Sequence, residues 1–289
     1  MRYPVALGFY PSNPKELKKL IESCFLDKKF GPGYIPKDRK YDKNLVAGIV
    51  PHAGYIYSGP CAAWVYKELY ENWDFDTIVI LGANHSGLGS NFSMYITDDW
   101  LTPFGIVKTD KEFGKYLIKN SEAVEDPLPH LYEHSIEVQL PFLQYISDNF
   151  RLVPILVKDI SIHKAEEFAK VILEASKELN RKVFVLISSD FTHHGKAYGY
   201  ILFREDPIRN VRRLDMQYIK AILSKDSRSF LDLIKNYNGT VCGKYPIIVF
   251  IEYIKQYNAR VKLLKYYNSG EVMGDEDVIV GYASIVSFI

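Results

Sequence analysis

The chain is poor in cysteine: Cys24, Cys61 and Cys242 are the only three in 289 residues. So few, scattered and odd in number, they form no disulfide framework and point to free thiols in a reducing, cytoplasmic compartment. An excess of either charge is also missing, with 36 basic against 35 acidic residues. That balance removes the global electrostatic case for a nucleic-acid partner or an anionic membrane. No window approaches the ~18 apolar residues of a membrane span, and the opening MRYPVALGFYPSNP has no apolar signal core. Several catalytic signatures are absent too: HExxH, GxSxG, the phosphate-binding GxxxxGK[ST] and CxxC do not occur, and Gly82, Gly87 and Gly89 do not make GxGxxG. Nucleotide binding and the common hydrolase triads are therefore not indicated.

What is present is an ordinary globular composition, 47% apolar and 25% charged, with 14 prolines and 18 glycines spread as turn punctuation. No repeat, low-complexity tract or linker divides the sequence, so one domain spanning 1–289 is expected. Short β-branched runs near Val46–Val50, Thr77–Leu81, Leu152–Val157 and Val183–Ile187 alternate with helical patterns at Ser58–Glu71, Glu133–Ser147 and Ile162–Leu179. This alternation predicts an α/β fold, a mainly parallel central sheet flanked by helices on both faces. The last third predicts helices near Pro207–Leu223, Arg228–Tyr237 and Tyr245–Tyr257. Strands near Val261–Tyr266 and Val278–Phe288 follow, and these two pair as a hairpin around Asn268 and Gly270.

Three of the strand-like runs end in polar clusters: Pro51-His52-Ala53-Gly54, Gly82-Ala83-Asn84-His85, and Ser188-Ser189-Asp190 followed by His193. Ligand crevices of open α/β sheets lie beyond the carboxyl ends of the strands, so clusters ~140 residues apart in sequence are expected to converge on one site. Cys242 sits in a loop just ahead of a helix start, where the helix dipole favours the thiolate that binds metals or attacks electrophiles. Cys24 and Cys61 lie on apolar helix faces and read as small buried hydrophobes. Two neutral imidazoles and one thiolate make a mononuclear metal site with open positions; the sulfur suits zinc and copper and leaves Fe(II) possible. Asp190 and His193, three apart, would share a face of a short helical turn, His193 as general acid or base and Asp190 orienting an imidazole or capping the turn. His134, in a segment expected to open a helix with Glu133 and Glu137 at its N-terminus, is either structural or a lining residue. His130 and His163 read as surface residues, and His194 carries no role.

The segments PHAGYIYSG at 51–59, LGANHSG at 81–87, EHSIEVQLPFLQ at 133–144, SSDFTHHG at 188–195 and the Cys242-Gly pair together resemble the Memo family. The likeness spans most of the chain. The family is named for a mediator of cell motility downstream of a receptor tyrosine kinase, and its fold is similar to that of class III extradiol dioxygenases. The resemblance implies that His52, His85 and Cys242 ligate a metal; the expected ion is Fe(II) or copper, with zinc the alternative. It further implies that Asp190 and His193 line the same pocket, with His193 where the dioxygenases keep their acid/base histidine. Those enzymes have a carboxylate where this chain has Cys242, so ring opening does not follow from the fold. The expected function is redox or oxygen chemistry on a small molecule; the alternatives are a pocket that only binds a peptide or protein, and zinc-dependent hydrolysis.

Overall fold

In the computed structural model, which describes all 289 residues, the strand TIVILGA at Thr77–Ala83 is buried along its whole length. Its side chains alternate between two apolar layers: Ile78 and Ile80 enter one, Val79 and Leu81 the other. A strand covered on both faces needs an unbroken apolar run rather than a polar alternation. The same logic gives β1 (Leu45–Val50), β2 (Thr77–Ala83), β7 (Arg151–Val157) and β8 (Val183–Ser188), which pair in parallel in the order β1-β8-β2-β7.

Antiparallel strands extend this parallel centre. On one side β11 (Ile279–Phe288) pairs with β1 and β10 (Arg260–Asn268) pairs with β11. On the other, β3 (Phe92–Met94) pairs antiparallel with β7 and carries the short β6 (Val124–Glu125). A separate ribbon is formed by β4 (Trp100–Thr102) and β5 (Gly105–Val107). Helices α1 (Pro14–Leu26), α2 (Tyr55–Glu71) and α4 (Leu140–Ile146) cover one face. The other face carries α3 (Lys111–Asn120), α5 (Ile162–Glu178), α6 (Pro207–Leu223), α7 (Ser227–Tyr237) and α8 (Lys244–Lys255). No helix is long and apolar enough to cross a membrane.

Four local expectations change. The segment from Glu133 is not a helix: a 3₁₀ turn at Glu137–Gln139 leads into α4, which starts only at Leu140. Pro141 has no N–H to give, so it is tolerated in the first turn and not further along a helix. Asp190 and His193 lie on extended chain rather than a helical turn, and β9 (His193–His194) pairs antiparallel with β11. The β10–β11 connection is no tight turn, because α9 (Ser269–Met273), capped by Asn268, is inserted in it. His130 is fully buried, its Nε2 on the Ser93 carbonyl at 2.9 Å; the His163 side chain is 77% exposed, as expected.

Candidate metal centre

Strand order decides which sequence motifs meet. Because β8 lies between β1 and β2, all three run out at the same edge, and His52, His85 and Ser188–Asp190 emerge side by side. Cys242 arrives from the helical layer, in the loop whose last residue, Gly243, caps α8. Its Sγ lies 3.3 Å from His52 Nε2 and accepts the Asp190 backbone N–H at 3.3 Å. Gly243 N–H ties the same loop to Ser189 Oγ at 3.0 Å.

Neighbouring hydrogen bonds assign the tautomer of each imidazole. Gln139 Nε2 donates to the Pro51 carbonyl at 3.0 Å and to Ser188 Oγ at 2.8 Å, while the Ser188 hydroxyl proton goes to the Ser135 carbonyl at 2.5 Å. His52 Nδ1, 3.0 Å from that hydroxyl oxygen, must therefore be the donor, which leaves a lone pair on Nε2 facing Cys242. His85 Nδ1 lies 2.9 Å from Glu133 Oε1, and a carboxylate only accepts, so Nδ1 again carries the proton and Nε2 is the inward ligand atom. A carboxylate behind the outer nitrogen is the usual support of a metal-bound histidine.

His134 completes a group of three histidines whose ligand atoms lie within 4.8 Å of one another and could hold an ion. Ring orientation separates them. His52 stands nearly perpendicular to His85, at 87°. His134 and His85 are stacked, centroids 4.9 Å apart and planes 12° apart. Cys242 Sγ lies beside this group through His52, and His134 is packed against Phe9, ring centroids 4.3 Å apart.

Electrostatics follows from the crowding. Burial raises the Cys242 thiol, but the His52 and His85 imidazoles outweigh it and bring the thiol down to about 7. Burial disfavours a charged His85, yet Cys242 and Glu133 push its pKa up to about 10. His134 is brought down to about 3 by burial and by His52. Asp190, almost fully buried, is raised by that burial; its Oδ1 accepts the His52 backbone N–H at 2.8 Å. His193 Nδ1 lies 3.0 Å from the Phe191 carbonyl and 3.1 Å from the Thr240 carbonyl, so it is a donor and the free Nε2 is the atom available to a ligand. His194, next along β9, turns the other way and accepts the Phe203 N–H through Nε2 at 3.1 Å.

His52, His85, His134, Asp190 and His193 together line a cavity of about 830 Å³, and Cys242 lies behind His52 and Asp190, outside its lining. Cys24 and Cys61 are buried away from it. The sequence reading missed Glu133 as the anchor of His85. It missed also the N-terminal segment that anchors the Glu133 loop: Arg2 pairs with buried Glu137, donates to the Glu133 carbonyl at 2.8 Å and lies over Trp100. Glu137 in turn accepts the Ala6 N–H and the Tyr10 hydroxyl, at 2.9 and 2.5 Å, which brings Phe9 to the cavity wall. Gly82 was the available signal. A methyl there would sit 2.5 Å from Ser135 Oγ and 2.7 Å from Ile136 Cγ1, so the glycine lets the 133–136 segment lie on the end of β2.

Comparison with known proteins agrees with this architecture. A family model described as Memo-like protein matches residues 2–286. A MEMO1 family protein of Methanopyrus kandleri is 39% identical, covering 99% of this chain and 98% of its own length. Those of Pyrococcus abyssi and Methanocaldococcus jannaschii are each 40% identical, covering 99% of this chain and 99% and 98% of their own lengths.

Proposed function

The chain belongs to the Memo family, and from that premise we propose that it is a metal-dependent enzyme carrying out redox or oxygen chemistry on a small molecule. The observation that carries the reading is the convergence of His52 Nε2, His85 Nε2 and a low-pKa Cys242 thiol, with both outer imidazole nitrogens locked by Ser188 and Glu133. Two imidazoles and a thiolate fit a mononuclear Fe(II) or copper ion, and they also fit zinc. A bound iron or copper ion would supply electron transfer and open positions for oxygen and substrate. His193, its ring oriented by two backbone carbonyls, holds or takes a substrate proton at Nε2. Asp190 fixes the His52 backbone and closes the cavity floor beside Cys242. The three unpaired cysteines suit a cytoplasmic setting.

The thiolate favours a second reading, a zinc-bound water doing hydrolysis, since a soft sulfur ligand suits zinc well. Elemental analysis of untagged protein purified without oxygen separates the two. About one equivalent of iron or copper, lost in the His52→Ala, Cys242→Ala double variant, supports redox chemistry. Zinc in its place selects hydrolysis. No metal in either protein overturns the metal-dependent reading and leaves a pocket that binds a peptide or protein.

A further inference from the structure

The cavity is lined by three tyrosines, Tyr57, Tyr198 and Tyr282, with Phe9 and Met273, and by no lysine or arginine at all. The exposed carboxylate of the lining is Asp275 at the outer rim; Asp190 is buried beside His52, and His85, bonded to Glu133, is the cationic group at the inner end. Asp275 pairs with no cation: its Oδ1 accepts the Asp277 backbone N–H at 2.8 Å, and Lys196 pairs with Asp277 at 3.3 Å. The Tyr57 and Tyr198 hydroxyls bond to no protein group and remain available to a ligand. An anion at the outer rim would lose water against aromatic faces and meet the Asp275 carboxylate with no guanidinium or ammonium to replace the solvent. A cation would meet the negative faces of aromatic rings, free hydroxyl oxygens and an unpaired carboxylate.

We propose that the substrate of this site is an amine, an apolar or aromatic body carrying an ammonium group, whose charged end lies at the outer rim against Asp275 while the body enters between the tyrosines toward His193. The inference rests on the cavity being the substrate site of the proposed function, and it narrows the substrate class. Selection works at the rim, away from the His52–His85–Cys242 cluster, so it does not depend on which metal is bound.

The test is a matched series, 2-phenylethylamine, 2-phenylethanol and phenylacetate, titrated at pH 7.5 and followed by calorimetry and by the tyrosine ring signals. It is done on the chelator-treated full-length protein and on protein loaded with redox-inert zinc. The amine is expected to bind at least tenfold more tightly than phenylacetate, with the alcohol between them, in both forms. Asp275→Asn, at an exposed position where folding is not at stake, should bring the amine to within about twofold of the alcohol. Tighter binding of phenylacetate in the chelator-treated protein, equal binding of the three, no binding of any, or an amine preference unchanged in Asp275→Asn would each overturn the proposal. The chelator-treated titration is independent of metal content, so a failure of the metal assignment and a failure of the substrate assignment read out separately.

Discussion

Glu133 holds His85 twice: Oε2 accepts its backbone N–H and Oε1 its ring Nδ1–H, both at 2.9 Å. The same carboxylate also accepts the backbone N–H groups of His134 and Ser135, at 2.9 and 2.8 Å, and its pKa is pulled far below the usual range, chiefly by His85 against the cost of burial. One side chain thus sets the position, rotation and tautomer of a candidate metal ligand.

Glu133→Gln keeps the size and removes the charge. Metal affinity is expected to fall about 10- to 100-fold, the usual effect of losing such a partner. In the metal-free protein the His85 titration should move down from about 10, because one of the two negative partners holding it up is gone. Competition with a chromophoric chelator and the imidazole NMR titration measure the two effects. Unchanged values in both would show that Glu133 only braces the loop.

How far this arrangement was legible in the sequence follows from the same residues. His52, His85 and Asp190 could be brought together without coordinates because parallel strands end at one edge and their motifs are local to those ends. Glu133 could not. Its partner is 48 residues away, and its sequence neighbourhood fits an acidic helix start equally well. The packing of Ser135 and Ile136 onto Gly82, with the bonds of Glu133 to His85 and of Arg2 to the loop, holds that segment off the helix. His130 was misjudged for a related reason, since the loop around it has no periodicity and its burial under Trp100 and Tyr95 is purely tertiary. The Asp190–His193 spacing was read as a helical turn; pairing of β9 with β11 overrides that local preference.

Gly82→Ala tests the packing argument. The added methyl meets Ser135 Oγ and Ile136 Cγ1 well inside contact distance, so the 133–136 segment must move off the sheet. We expect a loss of about 1–3 kcal/mol in stability, the usual cost of overpacking. Metal affinity should fall more than tenfold, although no ligand is replaced. Denaturant unfolding and chelator competition on the same variant check both. A fully stable protein with weakened metal binding, or the reverse, would separate the two roles of the glycine.

In metal-free protein Cys242 should react with iodoacetamide as a thiol of pKa about 7. The thiolate is the nucleophile, so the rate rises with pH and levels off above that value, whereas an ordinary thiol keeps accelerating to about 8.5. In His52→Ala the midpoint should move upward, because an imidazole that stabilises the thiolate is gone while burial remains. Mass spectrometry of the Cys242 peptide gives the rates; buried Cys24 and Cys61, both raised to about 12, serve as unreactive controls. Bound zinc should protect Cys242 at every pH.

Acid stability should be dominated in part by His130. Burial lowers its pKa to about 4, against an ordinary value near 6.5 in the unfolded chain. Between those values the unfolded chain binds a proton that the folded protein does not. Stability therefore falls as pH drops from about 6.5 to about 4, and it stops falling on this account below that. The full effect is on the order of 3 kcal/mol. His130→Gln, which can still donate to the Ser93 carbonyl, should be less stable at pH 8 but lose less on acidification. Urea midpoints at pH 8, 6 and 4.5 measure this, and parallel curves for the two proteins would rule the assignment out.

Thr240 is the residue through which the Cys242 loop holds His193. Its Oγ1 accepts the His193 N–H at 2.8 Å and donates to the His193 carbonyl at 2.8 Å, and its own carbonyl accepts from the His193 ring. Both backbone bonds of His193 depend on one hydroxyl, two residues before Cys242. Thr240→Val keeps the shape and removes the hydroxyl, leaving a donor and an acceptor unpaired at a partly buried position. The cost to stability is expected to be about 1–2 kcal/mol. Thr240→Ser restores the hydroxyl and should recover most of it. If the clamp positions His193, the valine variant should also broaden the His193 ring signals, while metal content stays at the wild-type level because Cys242 keeps its place beside His52. A valine variant that lost metal and left the His193 signals intact would show instead that Thr240 serves the Cys242 loop alone.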